Sequence, residues 1–159
     1  MNHERYMQAA LELARQAAAA GEVPVGCVIV DSTGQIIGRG RNRREELHTA
    51  TAHAEILALD EACRTIGDWR LGTCSLYVTL EPCPMCAGAI INARVGKVFF
   101  GTRDAAMGAA GSVLNLFLER FGHEPQIVGK ILENECTQLL TDFFRNLRKS
   151  NSNSHKIQN

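Results

Sequence analysis

Two short stretches of the chain carry residue types that do chemistry together, His53-Ala54-Glu55 and Pro82-Cys83-Pro84-Met85-Cys86. Cys83 and Cys86 stand three residues apart, so on the first turn of a helix both sulfurs face one side. A helix N-terminus also favours thiolate over thiol, because the aligned peptide dipoles present positive charge there. Pro84 suits the first helical position, where its missing N–H costs nothing. Two thiolates and one imidazole, each at a helix start, can converge on a single Zn²⁺. A structural zinc site takes four protein ligands, whereas a catalytic one takes three and keeps a position open for water. No second Cys-x-x-Cys and no later His-x₃₋₅-His follows. The inventory therefore predicts His53, Cys83 and Cys86 as ligands of one ion per chain, with room for water. Glu55 is the group placed to take that water's proton and return it to a leaving group.

A Cys-x-x-Cys alone also fits a thioredoxin-like redox pair, but that reading leaves His53 and Glu55 without a role. His48, five residues before His53, is a candidate fourth ligand and would make the site structural. A histidine in a polar loop is more commonly solvated, and His48 is read that way. Cys27, Cys63, Cys74 and Cys136 fall on apolar faces or strand edges and are read as core or near-surface thiols.

These residues need elements to hold them. Residues 4–20 show Tyr6, Ala10, Leu13 and Ala17 at helical spacing in an alanine-rich stretch closed by Gly21. The run Gly26-Cys27-Val28-Ile29-Val30 reads as a buried strand, Asp31-Ser32-Thr33-Gly34 as a turn, and residues 35–39 as the returning strand. Residues 40–51 are polar and unpatterned, a loop that opens with Arg39, Arg41, Arg43 and Arg44 close together. A helix from about Ala52 to Gly67 carries His53 and Glu55 at its start. A strand over 75–80 leads into a helix over 84–92 that carries the cysteines, and a third strand follows over 97–101. Residues 103–111 read as a loop, 112–118 as a short helix, 126–128 as a short strand and 132–148 as a long final helix. The polar end after Lys149 reads as a disordered tail over 150–159, leaving one domain over 1–149. Helices alternate with strands, which predicts an α/β fold: a central sheet between helices, its last strands able to run parallel.

The 159 residues carry 17 Lys+Arg against 17 Asp+Glu, so any nucleic-acid contact must come from local patches and not bulk charge. No apolar run approaches the roughly 20 residues of a membrane span. The first residues, Met-Asn-His-Glu-Arg, lack the apolar segment of a secretory signal. A cytoplasmic protein with no membrane partner is expected, its cysteines being thiols or metal ligands before disulfides.

His-x-Glu followed by Pro-Cys-x-x-Cys is the pattern of the zinc-dependent nucleobase deaminases. More of the chain resembles one branch of that superfamily. Glu22-Val23-Pro24-Val25-Gly26, Asn42, Thr51-Ala52-His53-Ala54-Glu55, the run Leu76 to Ala89, Phe100 to Asp104, Gly108 to Ser112 and Leu139 to Arg145 are similar to the bacterial tRNA-specific adenosine deaminases. The resemblance implies the three-layer α/β/α fold of the cytidine-deaminase-like superfamily, with a mixed sheet. It also implies hydrolysis of the wobble adenosine of an arginine tRNA anticodon to inosine, with the base extruded into the pocket. It gives His53, Cys83 and Cys86 as ligands of one Zn²⁺ per subunit and Glu55 as the proton shuttle. Asn42 and the backbone of Ala54 are implied to contact the adenosine. Asp104, Phe144 and Arg145 are implied to line the anticodon-loop groove, and Arg44 is a further candidate RNA contact from its place in the arginine cluster. A homodimer with an RNA site drawn from both subunits is implied as well. The chain departs from the family at Ala105-Ala106-Met107, where members commonly carry a lysine, and at His48-Thr49-Ala50, where many have proline.

Two other readings stay open at this level. A deaminase of a free base such as guanine or cytosine would share the zinc chemistry, though the arginines and Phe144-Arg145 favour RNA. A non-catalytic zinc-stabilised RNA-binding module would need His48 in the metal shell and would not need Glu55.

Overall fold

The structure is a computed structural model and describes residues 2–156. Helix α1 (His3–Ala19) opens it, with the Asn2 side chain accepting a hydrogen bond from the Arg5 amide as N-cap. Strands β1 (Gly26–Val30) and β2 (Ile36–Arg41) form a hairpin. Its turn is held by the Asp31 carboxylate, which accepts from the amides of Thr33 (2.9 Å) and Gln35 (3.0 Å). A single turn of helix, α2 (Arg44–Leu47), is followed by α3 (Ala54–Ile66), β3 (Ser75–Leu80), α4 (Pro84–Asn92) and β4 (Lys97–Thr102). A 3₁₀ turn (Leu116–Leu118), β5 (Gln126–Val128) and the long α5 (Glu133–Lys156) complete the order.

The strands make one five-stranded sheet in the order β2-β1-β3-β4-β5. The β1 pairings with β2 and β3 are antiparallel, and β3-β4 and β4-β5 are parallel, so the sheet is mixed as expected. Successive side chains of a strand point to opposite faces, and that alternation divides the core in two. Cys27, Ile29, Leu76, Val78, Val98 and Phe100 pack with α3 and α4. Val28, Val30, Tyr77 and Phe99 pack with α1 and with Cys136 of α5. Covered on both faces, β1 is buried along its whole length, which is why it reads as an unbroken apolar run. The three-layer α/β/α arrangement follows.

Helix α3 lies unusually close to β2. A Cβ at Gly40 would run into the backbone carbonyl of Ala54, and one at Gly38 into that of Ala58. Gly40→Ala is therefore expected to destabilise the fold by about 1–3 kcal/mol, the range of core overpacking. Urea denaturation would measure this, and zinc content should fall in the same variant because Ala54 adjoins His53.

Three local expectations are revised by the structure. Residues 40–51 are not a plain loop. The buried Glu22 carboxylate accepts from the amides of Glu45 (2.9 Å) and Glu46 (3.0 Å) and so anchors α2. The helix expected over 112–118 shrinks to Leu116–Leu118, because Val113 donates back to the Gly108 carbonyl (2.9 Å) and Gly111 to that of Leu114 (2.9 Å). The polar end expected as a disordered tail over 150–159 is helical as far as Lys156, and residues 157–159 lie outside the described residues. Ser150, Ser152 and Ser154 each donate a hydroxyl hydrogen bond to the carbonyl four residues earlier, at 3.0–3.1 Å. Serine thus bonds locally to the helix that its polarity argued against.

Candidate metal centre and cleft

His53 is the N-cap of α3 and Cys83 the N-cap of α4, with Pro84 at the first helical position. Because β1 and β3 are adjacent in the sheet, α3 and α4 pack side by side on the same face and their N-termini meet. His53 Nδ1 lies 3.6 Å from Cys83 Sγ and 3.5 Å from Cys86 Sγ, and all three candidate ligand atoms fall within 4.8 Å of one another. Tetrahedral zinc, with bonds of about 2.3 Å to sulfur and about 2.0 Å to nitrogen, requires an N···S edge of about 3.5 Å. The donor set and its spacing fit that ion. His48 is not in this cluster; it is exposed and closes α2 in a left-handed conformation with φ 50°.

The hydrogen bond from Cys86, strengthened by one with His53, holds the Cys83 thiol down to about 4. The same proton sharing with Cys83, together with burial, pushes the Cys86 thiol upward, and the hydrogen bond with Cys83 raises the His53 imidazole. Glu55, one residue into α3, is 4% exposed. Desolvation in this setting pushes its carboxyl from 4.5 up to about 7. A carboxyl poised there can both accept and give a proton near neutral pH.

His53, Glu55 and Cys83 line a cleft of about 440 Å³. Asn42, Arg44, Ala54 and Asp104 line it. Phe144 and Arg145 do not. Phe144 stands 42% exposed on α5, edge-on to the half-buried Phe143, and Arg145 pairs with Asp142 at 3.5 Å. The arginine cluster also divides. Arg44 enters the cleft, while Arg41 and Arg43 converge on the Glu46 carboxylate at 3.0 and 2.8 Å, away from it. The apolar wall was not picked out from sequence: Val23, Val25, Leu80, Met85 and Met107 also line the cleft. They carry no chemical signature, and only folding brings them together. Asn42 is 8% exposed; its amide nitrogen donates to the Val23 carbonyl (3.3 Å), and its Oδ1 is left without a partner. A buried acceptor in that condition calls for a donor from whatever fills the cleft.

Comparison with known proteins agrees with this geometry. The family model for the cytidine and deoxycytidylate deaminase zinc-binding region matches residues 1–102. The tRNA-specific adenosine deaminase of Bacillus subtilis (strain 168) is 49% identical over 154 residues, covering 96% of this chain and 95% of that protein. A structure solved in studies of A-to-I editing by tRNA:A34 deaminases at the wobble position of transfer RNA superposes with a TM-score of 0.82. It is 41% identical, over 86% of this chain and 99% of that one. A guanine deaminase from Nitrosomonas europaea superposes with a TM-score of 0.78 at 26% identity, over 88% of this chain and 83% of that one. His53, Cys83 and Cys86 could hold a single zinc ion, and the chain belongs to the cytidine and deoxycytidylate deaminase zinc-binding family, on its tRNA-specific adenosine deaminase branch.

Proposed function

We propose that this protein converts the wobble adenosine of a tRNA anticodon to inosine by hydrolysis, releasing ammonia, and that an arginine tRNA is its substrate. The observation that carries the reading is Glu55, a buried carboxyl raised to about 7 beside a three-ligand zinc cluster. When bound, zinc supplies the Lewis acidity that makes water a nucleophile near neutral pH. Glu55 takes a proton from the attacking water and delivers it to the purine, so that the amine leaves as ammonia. Asn42 Oδ1 offers its open lone pairs to a donor on the bound nucleoside, and the apolar wall excludes bulk water from the base. Arg44 supplies positive charge in the same cleft, which a phosphodiester uses and a neutral free base does not.

A homodimer with one zinc per subunit, working in the cytoplasm, belongs to the same reading. Met107, Val113, Leu114, Leu118 and Phe121 are 44–75% exposed within one short segment, an apolar surface that a second copy would cover. Phe144 and Arg145, which do not line their own cleft, would serve an RNA groove built from both subunits. None of the described helices is long and apolar enough to cross a membrane.

The test is inosine formation in an arginine-tRNA anticodon stem-loop carrying adenosine at the wobble position, with free guanine and cytosine in parallel. Inosine at that position alone is expected. Asn42→Ala should lower kcat/KM by about 10–100-fold, a buried polar contact being lost, with RNA affinity changed far less. Turnover of guanine or cytosine with none on the stem-loop would replace this reading with a free-base deaminase.

A further inference from the structure

Glu81 lies between the end of β3 and the Pro82-Cys83 pair, and its side chain is fully buried. Its carboxylate is surrounded by donors from one distant segment, residues 103–112. Oε1 accepts from the amide of Asp104 (3.2 Å) and from the Ser112 hydroxyl. Oε2 accepts from the amides of Ala110 (3.0 Å) and Ser112 (3.1 Å). The Arg103 guanidinium stands 3.9 Å from Oε1. Gly108 passes so close that a Cβ there would run into the carboxylate.

The segment bound in this way forms one wall of the cleft. Asp104 continues the chain of bonds, its Oδ1 accepting from the amides of Ala106 (3.0 Å) and Met107 (3.1 Å). Asp104 and Met107 are the residues of this segment that line the cleft. Glu81 therefore has its acceptor capacity spent on loop amides, with none left for a metal or a proton relay. Together with the Ala109 amide, which donates to the Pro82 carbonyl (2.8 Å), it ties a glycine- and alanine-rich loop, which has no helix or strand of its own, to the end of the strand beside the zinc ligands.

We propose that Glu81 is a positioning residue: it fixes the wall formed by Asp104 and Met107, and so sets how tightly the RNA flanking the target base is held, without entering the deamination step. This rests on the tRNA-deaminase reading above. Glu81→Gln is the informative variant. It keeps the shape and can still accept on one oxygen, while its amide nitrogen can face the Ser112 hydroxyl, so the Asp104 amide alone loses its acceptor.

The experiment compares zinc-loaded wild type, Glu81→Gln, Asp104→Ala and the double variant on the anticodon stem-loop, with amide hydrogen exchange followed over 104–112. For Glu81→Gln the expected result is a KM about tenfold higher with kcat within about threefold, as loss of one charge-assisted bond gives. Zinc should remain at one per chain, and exchange at Asp104 should quicken. In the Asp104→Ala background the same change should add less than about twofold to KM, since residues acting through one contact are not additive. A fall in kcat at unchanged KM, loss of zinc, full additivity or unchanged exchange would each overturn the proposal. Exchange needs no substrate, so a wild type that makes no inosine would fail the functional reading separately from the anchoring of the loop.

Discussion

Glu55→Gln is expected to yield a folded, zinc-loaded protein whose turnover falls by about 10²–10⁴-fold, the usual worth of a general acid–base group. Glutamine is nearly the same shape and is neutral, so it satisfies a site where burial already disfavours charge on the carboxyl. What it cannot do is accept a proton from water and release it to the departing amine. The check is zinc content by atomic emission alongside single-turnover inosine formation. Zinc lost together with activity would make Glu55 a fourth ligand and the site structural. Activity retained with zinc in place would remove the proton-shuttle role from Glu55.

Cys86→Ser should be the more damaging change for the fold as well as the reaction. Cys86 is fully buried on the first turn of α4, and its sulfur is 3.5 Å from the His53 imidazole. A serine hydroxyl is a poor zinc ligand, and two remaining donors leave the ion weakly held. Metal content is expected to fall well below one per chain, with turnover lost. Zinc at about 1,000 times its dissociation constant stabilises a native state by about 4 kcal/mol. At about 2–4 °C per kcal/mol for a chain of this size, Tm should drop by about 8–16 °C. Chelation of the wild type should reproduce most of that shift. The apo protein should still unfold cooperatively, because both core layers are built mainly from side chains remote from the metal. A Cys86→Ser protein with full zinc and unchanged Tm would mean that the ion is held elsewhere.

The same division between local and distant contacts explains how far the sequence could be read. The alternation of helices and strands was legible, because periods of 3.6 and 2 register in neighbouring residues. The misreadings over 40–51, 112–118 and 150–156 occurred where hydrogen bonds that the hydrophobic pattern does not register took over. Glu22 bonds to α2 from 23 residues away, the Gly108 carbonyl draws back Val113, and serine hydroxyls bond along α5. The arginines show the limit most clearly. Their clustering was visible, but which of them enters the cleft depends on where β2 ends and where Glu46 is placed.

By itself, then, the sequence singled out the candidate ligand set and the candidate proton-transfer residue. His-x-Glu and Cys-x-x-Cys at two helix starts are short-range patterns, whose meaning is set by the chemistry of imidazole, thiolate and carboxylate. Only the tertiary structure decided the 3.5–3.6 Å convergence of those ligands, the rise of Glu55 to about 7, the open acceptor on Asn42 and the anchoring of the 103–112 wall by Glu81. The reason is physical. Desolvation and hydrogen-bond satisfaction belong to the space around a group, and that space is filled by residues far along the chain, such as Ser112, 31 positions beyond Glu81.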